Sequence, residues 1–422
     1  MILNKISHLD KILILGFARE GQSTKNFLHK RFPDLQIDTA DQKDGPDYLK
    51  HLRDYQIIVK TPGIPPHLPE IISAKKSGVF FTSQTQIFFE LCPAKIIGVT
   101  GTKGKSTTAS LIHHVLSTNG IPCHLVGNIG RPALDYLDDI KKDDWVVMEL
   151  SSYQLMDLQK SPHIAVLQNI YPDHLDYHTD FTEYQNAKLT ITKYQTPADY
   201  LITAIDIPTK AKKIIIKPEP IESQLLGRHN LYNIQPAIII GKLLKIPKEE
   251  ILAAIKTFEP LDTRLTKVGV VNGVIFYEDV LATIPEATIA ALDAFPSGVT
   301  TLIAGGHERK QNYSELAHKI LDTGIKSLVL FPATGVRIEQ ALKNLSPLPA
   351  GRQDPPLLNQ ERGAGVRCYH VTSMNEAVQL AFSHTASGEI VLLSPAAPSF
   401  TLFKDYRDES SQYRAAIQKL SP

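Results

Sequence analysis

Residues 95–115 read KIIGVTGTKGKSTTASLIHHV, and this stretch decides the fold. Ile96–Val99 is an apolar, strand-like run. It feeds a glycine turn, Thr100-Gly101-Thr102-Lys103-Gly104, and Lys105-Ser106-Thr107 then opens a helix whose apolar face carries Leu111, Ile112 and Val115. Strand, glycine loop and helix start form a cradle in which backbone N–H groups and the positive helix end hold an anion. Lys105 can reach the β/γ-phosphates of a nucleotide, and the Ser106 hydroxyl can take a place on Mg²⁺. The eight-position phosphate-loop pattern is missed by one residue, because Val99 stands where its first Gly belongs. An ordinary βα turn does not account for Gly-Lys-Ser-Thr at the helix start.

Downstream of the loop, His124–Val126 reads as a strand ending in Gly127-Asn128-Ile129-Gly130. Trp145–Leu150 reads as a buried strand with Glu149 near its end. A carboxylate there, downstream of a phosphate loop, is where a Mg²⁺-linked acid is expected, and a salt-bridged strand end is the plainer alternative. Ile164–Asn169 is a further strand. The run that follows it, Ile170-Tyr171-Pro172-Asp173-His174-Leu175-Asp176-Tyr177-His178, reads either as a polar site at the same sheet edge or as a solvated loop. A helical pattern over Phe181–Tyr194 presents Lys188 between Ala187 and Leu189, and alone it reads as a solvated lysine. Gly227-Arg228-His229-Asn230-Leu231-Tyr232-Asn233 precedes an apolar helix, Ile234–Leu244, and an amphipathic one, Lys248–Phe258. Its asparagine amides suit a base edge or a helix cap equally.

Upstream, residues 11–17 (KILILGF) read as a buried parallel strand, and Gly16 and Gly21 bracket a turn before a helix running through Phe32. The spacing is a partial dinucleotide-type turn without the full glycine triplet. Gln36–Asp41 ends in an acid, as ribose-contacting strands do. Ile57–Lys60 runs into Thr61-Pro62-Gly63-Ile64-Pro65, a rigid turn at a strand's C-terminal end, where ligands of open α/β sheets gather. A helix at Pro69–Ser77, a strand at Phe80–Thr82 and a helix to Leu91 complete a small domain, punctuated by Pro93.

Toward the C-terminus, Val268–Val271 and Val274–Tyr277 flank Asn272-Gly273, a type I′ hairpin signal. Strands at Thr300–Ala304, Lys326–Phe331, Cys368–Val371 and Glu389–Leu393 then alternate with helices at Tyr313–Leu321, Val336–Leu345 and Met374–His384. This is a second doubly wound α/β unit. Leu348–Gly365 reads as an inserted surface loop. The fold class is α/β, in three domains: residues 1–92, 93–260 and 261–422.

The 422 residues carry 45 Lys and Arg against 44 Asp and Glu, a formal net charge of +1. That balance argues against a dedicated nucleic-acid or membrane-surface binder, which needs a basic excess. A hydrophobic fraction of 43% and a charged fraction of 21% suit a globular chain with a sizeable core. Cys92, Cys123 and Cys368 are scattered and lack metal-ligand spacing, as reduced structural thiols do. The N-terminal segment lacks a signal-peptide pattern, and no stretch approaches the roughly 18 apolar residues of a membrane span. A cytoplasmic protein is expected.

Together these segments resemble the Mur ligases. Thr100–Thr107 resembles that family's nucleotide loop, which also lacks the first glycine. Glu149-Leu150-Ser151-Ser152-Tyr153-Gln154-Leu155, Asn169-x₃-Asp173-His174-Leu175-Asp176 and Gly227-x-His229-Asn230-x₂-Asn233 resemble its next three signatures. The tail Leu392-Leu393-Ser394-Pro395-Ala396-x₂-Ser399-Phe400-x₂-Phe403-Lys404 matches as well, so the likeness spans nearly the whole chain. The best fit is the branch that adds D-glutamate to UDP-linked muramoyl-L-alanine. The resemblance implies a Rossmann-like domain over 1–92 for the UDP substrate, an ATPase domain over 93–260, and a Rossmann-like domain over 261–422 for the amino acid. It implies ATP with Mg²⁺ at two sites, a UDP-linked muramyl substrate and an amino acid as partners, and a monomer. In the implied chemistry ATP phosphorylates a carboxylate, and the incoming amine displaces phosphate from the acyl phosphate.

Residue by residue, the resemblance implies that Gly101, Thr102, Lys103, Gly104, Lys105, Ser106 and Thr107 cradle ATP, with Lys105 on the β/γ-phosphates. Ser106 and Glu149 hold one Mg²⁺. His174 and Lys188 hold the second, the lysine being carbamylated to a carboxylate-like group. Asn230 and Asn233 contact the adenine, and Arg264 and Asp279 lie by the ATP. Gly16, Phe17, Ala18, Asp41, Thr61 and Gly63 form the UDP turns, and Asn128 touches the substrate. Thr283, Arg309, Ser399 and Tyr406 fall where the amino acid is held.

The chain departs from the family pattern where acceptor choice is decided. The family's Asp-Ser-Lys-Ala-Thr-Asn reads Asp279-Val280-Leu281-Ala282-Thr283-Ile284, its His-Arg reads Thr263-Arg264, and Thr401 stands where an acid is common. Two alternatives stay open: a related ligase with another acceptor such as L-glutamate, and a nucleotide-binding regulatory homologue that does not ligate. Folylpolyglutamate-type ligases share the loop but lack the Rossmann-like N-terminal domain.

Overall fold

Strands buried on both faces are near-continuous apolar runs, and such strands, Ile57–Lys60, Ile164–Leu167 and Ser327–Phe331 among them, lie inside the chain's three sheets. The computed structural model describes residues 2–175, 177–295, 297–345 and 365–420. Asp176 and nearly all of the surface loop expected at Leu348–Gly365 lie outside the described residues. The fold is mixed α/β. By compactness the chain divides into two units, Met1–Glu222 with Tyr232–Phe258, and Ser223–Leu231 with Glu259–Pro422.

The first unit holds two parallel sheets. One contains β1 (Lys11–Leu15), β2 (Gln36–Ala40), β3 (Ile57–Lys60) and β4 (Phe80–Thr82), ordered β2-β1-β3-β4. The other contains β5 (Lys95–Thr100), β6 (Cys123–Gly127), β7 (Trp145–Glu149), β8 (Ile164–Leu167), β9 (Tyr200–Thr203) and β10 (Lys212–Ile215), ordered β10-β9-β8-β5-β7-β6. One continuous core, including Ile12, Ile14, Phe88, Val146, Met148 and Leu167, runs through both. Because every pairing is parallel, the loops after β5, β6, β7 and β8 leave from one edge of the second sheet. The loops after β1, β2 and β3 share one edge of the first in the same way.

The second unit contains β11 (Thr266–Val271), β12 (Val274–Glu278), β13 (Val299–Gly305), β14 (Ser327–Phe331), β15 (Arg367–His370) and β16 (Ile390–Leu393), ordered β11-β12-β16-β13-β14-β15. Only β11 runs antiparallel, turned back by Asn272 and Gly273, both at positive φ (48° and 82°), as a type I′ turn requires. Apolar clusters lie against the sheet, one around Phe276, Phe331 and Tyr413, the other around Leu302, Leu316 and Leu328.

One helix expected from the sequence needs correction, and several elements were not expected. The helix expected at Ile234–Leu244 runs instead over His229–Leu243, so Asn230 and Asn233 sit in its first turns rather than in a preceding turn. Pro236 lies inside that helix and leaves the Tyr232 carbonyl without its usual N–H partner; the Gln168 amide donates to it at 3.3 Å. The strands β9 and β10 and the helices Ile2–Ile6, Pro285–Asp293 and Tyr406–Gln418 had no counterpart in the sequence reading. Among the described residues no helix is long and apolar enough to cross a membrane.

Candidate active site

The phosphate loop turns out of β5 at Thr100 and enters the helix Lys105–Thr118 through Gly104, whose φ of +87° is left-handed. A Cβ on Gly104 would overlap the Asn233 side chain, so that asparagine is packed directly on the loop. Thr108 Oγ1 donates to Asn233 Oδ1 at 3.4 Å. Gly104→Ala should therefore cost about 1–2 kcal/mol from the backbone alone and displace Asn233. A lowered thermal midpoint together with a raised KM for ATP is the expected result; an unchanged KM would separate Asn233 from nucleotide binding.

The loop is fastened from β8. Thr102 N–H donates to Asn169 O at 2.8 Å, Lys103 N–H to Asn169 Oδ1 at 2.9 Å, and Asn169 Nδ2 to Lys103 O at 3.1 Å. Thr102 Oγ1 meets the Tyr184 hydroxyl at 2.9 Å. The sequence reading missed this clamp. Its signal was Asn169 itself, a polar residue closing an apolar strand.

Two lysines converge on one loop carbonyl. Lys105 Nζ donates to Gly101 O and Thr102 O, both at 3.0 Å, and Lys188 Nζ donates to Gly101 O at 2.7 Å. Lys188, which the sequence alone left as solvated, is only 2% exposed. Burial, then the neighbouring charge of Lys105, hold its amine well below the ordinary lysine range, against the pull of Asp173 and Glu149. That shift favours the neutral amine over the ammonium.

Glu149 closes β7 and is 1% exposed. Its Oε1 accepts from Asn128 Nδ2 at 3.0 Å, while its Oε2 is buried and has no hydrogen-bond partner among the described residues. Asn128, implied as a substrate contact, is thus also the residue that orients this carboxylate. A buried carboxylate oxygen left unmatched is costly and calls for a partner such as a cation. His174, at φ +55°, is pinned by three contacts. Its Nδ1 lies 2.7 Å from the Tyr153 hydroxyl, its N–H donates to Asp173 Oδ1 at 2.9 Å, and its Nε2 is 3.8 Å from Asp173 Oδ2. When Nδ1–H is donated to Tyr153, the ring's lone pair sits on Nε2, the arrangement found in metal-ligating histidines. Among the described residues no three His, Cys, Asp or Glu side chains gather as a ready-made metal centre.

At the edge of the first sheet, Asp41 Oδ2 accepts the Phe17 N–H at 2.6 Å and its Oδ1 the Lys43 N–H at 3.1 Å. These two N–H groups hold its carboxyl below the usual range. Gly16 (φ +90°) leaves no room for a Cβ beside Thr61 Oγ1. Ala18 then opens the helix Arg19–Arg31 without a side-chain cap, leaving its N–H groups for an anion. Gly63 follows Thr61 and Pro62 in the turn after β3.

The remaining candidates lie in the second unit. Parallel pairing of β12, β16 and β13 brings the loops carrying Asp279 and Thr283, Ser399, and Arg309 to one edge. Asp279 N–H donates to Leu393 O at 2.7 Å, and His307 N–H to Pro398 O at 2.7 Å. Thr266 pairs with Glu278, which puts Arg264 at that edge too. Tyr406 opens the helix Tyr406–Gln418, capped by Asp405. Asn230 belongs with this unit, its amide donating to Leu226 O at 2.6 Å.

Parallel α/β sheets, a lysine-bearing phosphate loop and a buried acid with an unmatched oxygen define a nucleotide-dependent enzyme. Residues 99–219 match the Mur ligase middle domain, and residues 263–397 match the Mur ligase glutamate ligase domain. The chain is 34% identical over 411 residues to the UDP-N-acetylmuramoylalanine–D-glutamate ligase of Acetivibrio thermocellus, covering 89% of this chain and 85% of that one. It is 31% identical over 439 residues to the enzyme of that name from Clostridium tetani, covering 96% and 92%. Among solved structures it resembles the UDP-N-acetylmuramate–alanine ligase MurC of Thermotoga maritima, with a TM-score of 0.61, 16% identity, and 97% and 99% of the two chains covered. It also resembles Thermotoga maritima MurF in complex with ADP, with a TM-score of 0.60, 14% identity, and 97% and 95% covered. The chain belongs to the Mur ligase family: it is an ATP-dependent, amide-bond-forming ligase of peptidoglycan synthesis.

Proposed function

We propose that this chain joins D-glutamate to the free carboxylate of UDP-N-acetylmuramoyl-L-alanine through an acyl phosphate. The observation that carries the reading is the meeting of Lys105 and the buried Lys188 on Gly101 O, in the unit that also holds the unmatched Glu149 oxygen. A carboxylate repels both ATP and any anionic partner, so its activation needs cations and carboxylate-held metal gathered at the γ-phosphate. The D-glutamate acceptor rests on the names of the curated relatives.

In this reading Lys105 neutralises the β/γ-phosphates, and Ser106 and Glu149 hold one Mg²⁺. His174 and a carbamate on Lys188 hold a second. The metal supplies charge neutralisation between the phosphate and the attacking carboxylate. Asn128 fixes the Glu149 carboxylate, Tyr153 fixes the His174 ring, and Asn169 fixes the loop. Gly16–Ala18, Asp41, Thr61 and Gly63 hold the UDP moiety. Asn230 and Asn233 contact the adenine, and Arg264 and Asp279 lie by the nucleotide. Thr283, Arg309, Ser399 and Tyr406 hold the acceptor, where a cation for the glutamate carboxylate is the physical need. The enzyme works as a cytoplasmic monomer in three domains.

A second reading, in which another amino acid such as L-glutamate is the acceptor, is favoured by one local feature. Ile284 is fully buried at the N-cap of the helix Pro285–Asp293 and offers it no side-chain hydrogen bond, and Leu281 precedes it in a loop where the family carries lysine. Phosphate release measured with UDP-N-acetylmuramoyl-L-alanine, ATP and a panel of amino acids decides the matter. D-glutamate should support the highest kcat/KM; release with L-glutamate and none with D-glutamate replaces the first reading by the second.

A further inference from the structure

Beneath Ser399 the second unit buries two carboxylates with one cation. Glu278, fully buried at the end of β12, accepts from Arg414 Nε at 2.8 Å and from Ser410 Oγ at 2.8 Å, and is ion-paired with Arg414 Nη2. Glu409, 1% exposed in the first turn of the helix Tyr406–Gln418, is hydrogen-bonded to Ser399 Oγ, and among the described residues no cation pairs with it. The other ionisable groups around the pair are Tyr413, whose hydroxyl donates to Tyr277 O at 3.1 Å, and Asp262, held by Arg414. Two buried acids sharing one cation retain a proton, and it stays on the acid without the cation.

We propose that Glu409 is a positioning residue for the acceptor amino acid: as the neutral acid it donates its hydrogen bond to Ser399 Oγ, which turns the serine's own proton toward the bound carboxylate. An ionised Glu409 would instead claim that proton, and Ser399 would present lone pairs to an anion. Burial pushes the Glu409 carboxyl up to about 8, with the Ser399 hydroxyl pulling down and the charge of Glu278 adding to the rise. The neutral acid therefore prevails at pH 7 and is lost as pH climbs through that value.

The inference rests on the reading of Ser399 as an acceptor contact, and the test separates the two. Steady-state KM for the accepted amino acid and for ATP is measured from pH 6.5 to 9.5 in wild type, Glu409→Ala, Glu409→Gln and Ser399→Ala. Glu409→Ala should raise the acceptor KM roughly tenfold at pH 7, with the KM for ATP unmoved. Glu409→Gln should restore it, because the carboxamide donates the same hydrogen bond. In wild type the acceptor KM should rise above about pH 8; in Glu409→Gln that rise should vanish. The wild-type profile needs no variant to fold. If Glu409→Gln is as impaired as Glu409→Ala, or shares the wild-type rise, the proton on Glu409 has no part in binding, while the Ser399 site stands. If Ser399→Ala leaves the acceptor KM unchanged, the Ser399 reading fails and takes the inference with it.

Discussion

Lys105→Ala should lower kcat/KM by about 10³-fold, on the order of 4 kcal/mol of transition-state stabilisation, with the fold intact. The ammonium donates at 3.0 Å to the carbonyls of Gly101 and Thr102, so it is fixed over the loop. Preorganised charge of this kind acts on the transition state without reorganisation at the moment of reaction. The loss should appear in kcat as well as in the KM for ATP, because the phosphoryl group gains charge at its oxygens as it transfers. Folding should not suffer, since Lys105 and Lys188 repel each other at Gly101. Single-turnover phosphate release with circular dichroism as the control measures both. Residual activity above a tenth of wild type would mean that energy enters elsewhere.

The strands that carry this machinery were legible because parallel strands buried on both faces are unbroken apolar runs. Ile57–Lys60 is observed as read, and Trp145–Glu149 ends one residue early; the half-buried edge strand Phe80–Thr82 is observed as read too. What stayed hidden lacked that pattern. Lys212–Ile215 is a four-residue edge strand that begins on two exposed lysines, and Tyr200–Thr203 is equally short. The helix Tyr406–Gln418 buries Glu409 and Ser410 alongside Tyr413, Ala416 and Ile417, so its inner face does not read as apolar. The His229–Leu243 helix starts five residues before its apolar run because the Gln168 amide takes up the carbonyl that Pro236 leaves open. In the candidate site, spacing alone singles out Lys105 and Glu149. It does not single out Lys188, whose burial follows from how the helix Phe181–Lys193 lies against Gly101, a tertiary fact that no local pattern carries. Tyr153 and Asn169 act through His174 and the loop, and side chains that orient other side chains leave no spacing rule.

Lys188→Ala should also abolish turnover, by about 10³-fold, and short carboxylic acids should restore part of it. Unmodified, the buried amine is held well below the ordinary lysine range, so folding disfavours its protonated form. Between that depressed value and the ordinary one near 10.5 the unfolded chain binds more protons, and stability rises with pH; below the depressed value the full penalty remains. In the proposed reading, reaction with CO₂ would remove the conflict. The amine lone pair would attack carbon, the N–C bond would form as a C=O pair moves to oxygen and the nitrogen gives up one proton, and the anionic carbamate would face the charges of Lys105 and Lys103. Removing dissolved CO₂ should therefore lower wild-type activity, and bicarbonate should return it. Acetate or propionate added to Lys188→Ala should raise its rate roughly tenfold or more, because a free carboxylate in place of the missing side chain would offer the oxygens that a carbamate would give a bound cation. A variant that no carboxylate rescues, beside a wild type indifferent to CO₂, would leave Lys188 acting as a plain amine and the second metal without its ligand.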